Sequence, residues 1–92
     1  MRQSRFRSQA LLIEVKASLG DPRIFEMGES EVRTAKAAAR PKSGQGYAIA
    51  YVSNVGEPSL TRVEMLPNPM SEEGEALLRI LGEGIRYGFS RS

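Results

Sequence analysis

The residues best suited to chemistry lie in the stretch LLIEVKASLG, residues 11–20. Glu14 and Lys16 are separated by one residue, so in a strand they project from the same face roughly 7 Å apart. A carboxylate can bind a hard divalent cation, and an ammonium beside it can orient a water molecule or stabilise charge on a phosphoryl oxygen. The spacing is typical of metal-assisted phosphodiester hydrolysis, with Mg²⁺ or Mn²⁺ as cofactor.

The same spacing has a plainer interpretation. Two opposite charges on a half-exposed strand form an ordinary ion pair, which contributes about 0 to 1 kcal/mol to stability. One carboxylate is also a poor magnesium site, so the catalytic hypothesis needs a second acid from a neighbouring element.

Glu31 is the best candidate for that second acid. A helix is predicted over residues 29–40, ending before Pro41 because the residue before a proline avoids the helical region. At 100° per residue, Glu31 falls in the apolar sector with the alanines, and Arg33, Lys36 and Arg40 fall nearly opposite. A carboxylate that points toward a core needs a partner: the helix backbone, a cation or a metal.

Composition excludes several kinds of active site. The 92 residues contain no cysteine and no histidine, which rules out disulfides, thiolate nucleophiles, Cys/His zinc sites and Ser-His-Asp triads. Residues 1–46 hold nine Lys/Arg against five Asp/Glu, and residues 47–92 hold four against six, giving charges of +4 and −2. The basic half favours contact with nucleic-acid phosphates, although a solvated basic face explains the charge equally well. The residues predicted for that contact are Arg33, Lys36, Arg40 and Lys42.

The elements that must position these residues form one domain at this chain length. We expect a basic flexible arm over residues 1–8 and a single domain over residues 9–92. The predicted fold class is α/β (α+β), a small mixed sheet of about four strands with two helices in the order β-β-α-β-β-α. Strands are predicted over 9–17, 23–27, 47–55 and 59–66, and a final helix from residue 72 has an apolar stripe at 77, 78, 80, 81 and 85.

Two expectations concern which strand faces are buried. The first strand alternates a wholly apolar face with one that carries Leu12, Glu14 and Lys16, and we assign the apolar face to the core. The members of that face are Leu11, Ile13, Val15 and Ala17. The strand over 47–55 is apolar on both faces, as expected of a central strand, and its small residues at 48, 50 and 52 should face the alanine-rich helix.

The order of several motifs resembles a known family. IEVKAS (13–18), RIFEM (23–27), GESEVRTA (28–35), GYAIAYVSNV (46–55) and LPNP (66–69) occur in that order. The series resembles the uncharacterised domain found at the C-terminus of the plant NO VEIN protein and in many bacterial restriction-type proteins, within the PD-(D/E)xK restriction-endonuclease-like superfamily.

The resemblance implies a truncated restriction-endonuclease-like core. It identifies Glu14 and Lys16 as the catalytic Glu and Lys, and Glu14 and Glu31 as metal-site acids. The family's metal-binding Asp lies on a strand before the Glu-x-Lys strand, and residues 1–8 contain no acid. Asp21 comes after that strand, in a turn, and is a poor substitute.

The leading hypothesis is therefore a nuclease-like domain that hydrolyses DNA with a divalent metal, with a site that is incomplete in this chain alone. The alternative is a non-catalytic interaction or dimerisation module that binds nucleic acid or a second copy. No apolar run approaches the roughly 20 residues that span a bilayer, and the start lacks a secretory apolar stretch. We therefore expect a cytoplasmic protein without a membrane partner.

Overall fold

The computed structural model describes residues 10–81 and 86–89, and only the backbone of Ala10, Ile80 and Leu81. The elements are β1 (Ala10–Ala17), β2 (Ile24–Glu26), α1 (Glu29–Ala39), β3 (Gln45–Ser53), β4 (Arg62–Pro67), α2 (Glu72–Leu77), β5 (Arg79–Leu81) and β6 (Arg86–Gly88). The predicted α+β class and the order of the first six elements are confirmed. No helix of the described residues is long and apolar enough to cross a membrane.

Two small sheets make up the fold. The first has the order β1-β3-β4, with β1 parallel to β3 and β4 antiparallel to it, and the second is antiparallel with the order β2-β6-β5. A parallel pair needs a long crossover, and the segment from β1 to β3 supplies it through β2 and α1. The predicted central position of β3 is confirmed, and β4 lies at an edge of the sheet.

Helix α1 begins and ends where the sequence predicts. Gly28 is its N-cap, and the backbone N–H of Gly28 donates to the Glu31 carboxylate at 2.9 Å. Arg40, just before Pro41, already has extended backbone angles. Ala35 and Ala38 are buried, so the helix lies close to the sheet.

The core lies between α1 and the large-residue face of β3. Tyr47, Ile49 and Tyr51 form one buried cluster with Ala35 and Ala38 of the helix. Ala50, on the small-residue face, is outside that cluster. The prediction that small residues of β3 face the helix is therefore wrong, because alanines on one surface pack best against large side chains on the other.

The prediction for the faces of β1 is also wrong. Leu11, Ile13 and Val15 are 60%, 48% and 59% exposed. Glu14 and Lys16 pair in register with Ile49 and Tyr51, so they share the face that α1 covers. Charged residues can lie on a covered face when the covering element provides hydrogen-bonding or ionic partners for them.

The second helix is shorter than predicted. The hydroxyl of Ser71, its N-cap, accepts the backbone N–H of Gly74 at 3.0 Å, as serine commonly does at this position, but the helix ends at Leu77. Leu78 is extended, and β5 then pairs with β6. The prediction that residues 78, 80 and 81 continue the helix is wrong because strand pairing overrides their helical spacing. Residue 85 of the predicted stripe and the arm over 1–8 lie outside the described residues.

Candidate functional site

The three residues predicted to do chemistry converge between β1 and the first turn of α1. Lys16 Nζ lies 2.8 Å from Glu31 Oε1. The same oxygen accepts the backbone N–H of Gly28 at 2.9 Å. The carboxyl of Glu14 lies near that of Glu31, close enough for Glu31 to raise the pKa of Glu14. Glu31 therefore has the partners that its place in the apolar helix sector required.

Local folding explains the convergence. Alternation along β1 turns Glu14 and Lys16 toward the face that α1 covers. Glu31 is the third residue of α1, and its bond to Gly28 N–H is the carboxylate half of a capping box, which holds the side chain back over the helix start. One carboxylate thus caps the helix and meets both strand residues.

The two carboxyls titrate differently because their neighbours differ. The hydrogen bond from Lys16, and after it the one from Gly28 N–H, lowers the pKa of Glu31 to about 2. The pKa of Glu14 is raised, chiefly by its hydrogen bond to Glu31, then by burial and the Glu31 charge, while Lys16 opposes the shift. When the pair carries a single proton, Glu14 therefore holds that proton in preference to Glu31.

Tyr47 is a member of the site that sequence reasoning missed. Its side chain is 8% exposed, and its hydroxyl makes no hydrogen bond to any described residue. Burial raises its pKa to about 12, with further contributions from the charges of Glu14 and Glu31. Alternation in the sequence indicates that Tyr47 shares a strand face with Ile49, but only the register of Ile49 with Glu14 places it near the acids.

Among the described residues, the two acids near Lys16 are Glu14 and Glu31. Within residues 10–81 and 86–89, no group of three or more His, Cys, Asp or Glu could hold a metal ion. Asp21 belongs to a separate cluster, where its carboxylate accepts the hydroxyl of Tyr51 at 3.0 Å. A cation at the site would therefore have Glu14 and Glu31 as its protein ligands.

That separate cluster is built around Arg23. Its guanidinium makes two hydrogen bonds to the Glu64 carboxylate, at 2.8 and 3.0 Å, and lies 4.3 Å from the centre of the Phe89 ring. Its backbone N–H donates to Tyr51 Oη at 2.8 Å. Arg23 has a φ of 58°, which is uncommon outside glycine. This cluster had no signal in the sequence, because the turn residues of SLGDP do not indicate which distant side chains will surround Arg23.

The predicted nucleic-acid contacts all lie at the surface. Arg33 and Lys36 are exposed on α1, and Arg40 and Lys42 are exposed just after it. Arg33 and Lys36 are exposed on the same helix that carries Glu31 toward the sheet. Their role in binding stays a prediction.

Comparisons of the chain with family models, with curated protein sequences and with solved structures find no match. The candidate site is therefore defined by its geometry and by the motif series that begins with IEVKAS.

Proposed function

We propose that this chain carries part of a nuclease-like site for divalent-metal-dependent hydrolysis of phosphodiesters in nucleic acid. The observation that supports the proposal best is the convergence of two carboxylates and an ammonium, Glu14, Glu31 and Lys16, at one point. The resemblance of the series from IEVKAS to LPNP to the restriction-endonuclease-like superfamily points to the same chemistry.

Two neighbouring carboxyls are a suitable start for a cation site. The pKa of Glu14 is raised first by its hydrogen bond to Glu31, then by burial and by repulsion from the Glu31 charge. A divalent cation between them would relieve that repulsion in place of the proton. Mg²⁺ or Mn²⁺ bound by Glu14 and Glu31 would supply Lewis-acid polarisation of a phosphoryl oxygen.

Lys16 has two roles in the proposal. In the absence of a cation it neutralises Glu31 through the 2.8 Å ion pair. When the carboxylates are engaged elsewhere, its ammonium becomes free to orient a water molecule or to stabilise charge that develops on a phosphoryl oxygen. With two protein ligands the site should bind a cation only in about the millimolar range, and efficient cleavage would need a further acid.

The exposed cations in α1 and just after it fit the same proposal. Arg33, Lys36, Arg40 and Lys42 would contact phosphates of a bound strand without reading its bases. Each contact that is lost should reduce the slope of log affinity against log salt by about 0.7 for a single strand or 0.9 for a duplex. Anisotropy of a labelled oligonucleotide, measured with Lys36→Gln and Lys42→Gln, tests this part.

Cation binding is tested by NMR with Mn²⁺, which broadens signals near its binding site. Wild-type protein should lose amide signals around Glu14 and Glu31, and Glu14→Gln should abolish this effect. Glu29→Gln is the matched control, because Glu29 is an exposed acid two residues before Glu31 on the same helix. Equal broadening in Glu14→Gln would contradict the proposed ligands.

Catalysis is tested separately with plasmid and single-stranded DNA in Mg²⁺ or Mn²⁺, comparing wild type with Lys16→Ala. Cleavage by wild type that is lost in Lys16→Ala supports the catalytic role. Absence of cleavage, or equal cleavage by both proteins, removes the claim of enzymatic activity and leaves the binding result to stand by itself.

A second function, association with another protein surface, is favoured by a different observation. Several large apolar side chains of the first sheet face solvent on the side opposite α1, including Leu11, Val15 and Val63. An interaction module needs such a surface, whereas a nuclease site does not.

A further inference from the structure

The outer surface of the first sheet, turned away from α1, is wholly apolar, and we call it the apolar face. Alternate positions of β1, β3 and β4 form it, and register pairs them across the sheet. Its members are Leu11, Ile13, Val15, Ala17, Gly46, Ala48, Ala50, Val52, Val63, Met65 and Pro67. Not one of them has a charged or hydrogen-bonding side chain.

The apolar face is open to solvent over most of its large residues. Leu11, Val15, Val63 and Met65 are 55–60% exposed. Together with Ile13 they leave apolar area on the order of 400 Å² in water, and a patch of this size on a monomer often has a function. A standard protein interface takes about 800 Å² from each partner, so this patch supplies about half of one side.

We propose that a second copy of this chain covers the apolar face, so that the two sheets pack face to face about a two-fold axis with the α1 helices outside. The absence of charge on the apolar face is the first argument for a second copy as its partner. A face without charge would leave an ionised partner unpaired and buried. A copy of the same neutral face meets the requirement without further adjustment, since a two-fold contact joins like surfaces.

The shape of the apolar face is the second argument for a second copy. The outer residues of the middle strand β3 are small from Gly46 to Ala50, while Leu11, Ile13 and Val15 on β1 and Met65 and Pro67 on β4 rise on either side. The face is therefore a groove between two ridges. A copy displaced by one strand spacing, about 4.8 Å, would seat one of its ridges in the groove and receive a ridge in return.

The three segments at residues 1–9, 82–85 and 90–92 do not have the composition needed to cover the apolar face. Residues 1–9, MRQSRFRSQ, hold three arginines and only two large apolar residues, Met1 and Phe6. Residues 82–85 and 90–92, GEGI and SRS, hold one, Ile85. None of these segments offers the run of apolar side chains that the face would need.

Sedimentation of the full chain over a range of about 1 to 100 μM tests the proposal. The expected species at the upper end has twice the 10.1 kDa chain mass. Leu11→Lys should raise the dimer dissociation constant by at least about 100-fold, because two buried charges would face an apolar surface. Leu60→Lys is the matched control: Leu60 is an exposed leucine, 55% against 60% for Leu11, and lies in the turn between β3 and β4, outside the strand positions that form the face. It should leave the constant unchanged.

A second substitution guards against a folding defect. Val63→Lys places a charge on the far edge of the same face and should weaken the dimer as Leu11→Lys does, with wild-type far-UV circular dichroism in both variants. A wild-type chain that stays monomeric at the upper concentration overturns the proposal, and binding of that monomer to phosphatidylcholine vesicles would identify a lipid surface instead. A dimer that resists both substitutions overturns it as well, since it would use another surface. None of these results depends on cation binding by Glu14.

Discussion

The two faces of the first sheet come from alternate residues of the same three strands, yet they differ in chemistry and in cover. The inner face carries Glu14, Lys16 and Glu64, and lies under α1 and the second sheet. The outer face carries no charge, and its large side chains are about half exposed or more. Whether a residue is buried thus depends on the partners that neighbouring elements provide for it, and not on its hydrophobicity alone.

Ion pairs explain why the face that carries charges is the covered one. Lys16 meets Glu31, and Glu64 meets Arg23, at 2.8 Å each. With Lys16 and Glu64 paired in this way, the inner face can be covered around Ile49 and Tyr51 without an isolated buried ion. The outer face lacks a covering element among the described residues, although nothing in its chemistry opposes one.

The largest expected effect separates two isoleucines on opposite faces. Ile49 is fully buried, whereas Ile13 is 48% exposed. Ile49→Ala should lower the free energy of unfolding by about 2–5 kcal/mol through lost burial and a cavity. Ile13→Ala should cost less than about 1 kcal/mol in the monomer. Urea unfolding at low protein concentration measures both.

Both variants are also compared at high concentration. If the apolar face associates, the cost of Ile13→Ala should grow with protein concentration, while that of Ile49→Ala should not depend on which face is covered. Equal losses for the two variants at low concentration would contradict the assignment of Ile13 to an open face.

A smaller effect distinguishes two tyrosines of the inner face. Tyr51 Oη accepts the backbone N–H of Arg23 and donates to Asp21. Tyr51→Phe should therefore cost about 1–3 kcal/mol, because it leaves that N–H without its partner. The Tyr47 hydroxyl has no hydrogen bond within the described residues, so Tyr47→Phe should be neutral or stabilise by up to about 1 kcal/mol.

Thermal unfolding of the two variants side by side provides the measurement, and each serves as the control for the other. A loss for Tyr47→Phe as large as that for Tyr51→Phe would show that the Tyr47 hydroxyl has a partner, such as an ordered water between it and the acids.

Local signals in the sequence predicted much of the fold. The bounds of α1 are set by Gly28, Glu31 and Pro41, which are all within a few residues of the helix ends. The N-cap at Ser71 was equally local. The end of α2 was not predictable in this way, because β5 forms only when residues 86–88 pair with it.

The site was predicted in part for the same reason. The spacing of Glu14 and Lys16 and the helical position of Glu31 are local, and they proved sufficient to place the three side chains together. Tyr47 required the register of β1 on β3, and the Arg23 cluster required two elements distant in sequence. Alternation in β1 separated the two faces correctly but could not tell which one α1 would cover.

The smallest expected effect concerns pH and the pair Lys16–Glu31. Since the pKa of Glu31 falls from 4.5 to about 2 on folding, its contribution to stability is present above pH 4.5 and is lost as the pH falls toward 2. Glu14 acts with the opposite sign: its raised pKa gives stability at low pH that is lost as the pH rises above 4.5. Lys16→Met removes the main cause of the Glu31 shift, so its pKa should return toward 4.5.

Carbon-13 NMR of the carboxyl groups monitors each residue directly. In Lys16→Met the Glu31 titration should move upward, and acid should destabilise the variant less than wild type between pH 4.5 and 2, by about 1 kcal/mol or less for a partly exposed pair. Lys36→Met makes the same chemical change on the exposed side of α1 and should leave both titrations in place. An unchanged Glu31 titration in Lys16→Met would mean that the Gly28 N–H alone holds the charge, and that Lys16 is already free of the carboxylate before any cation arrives.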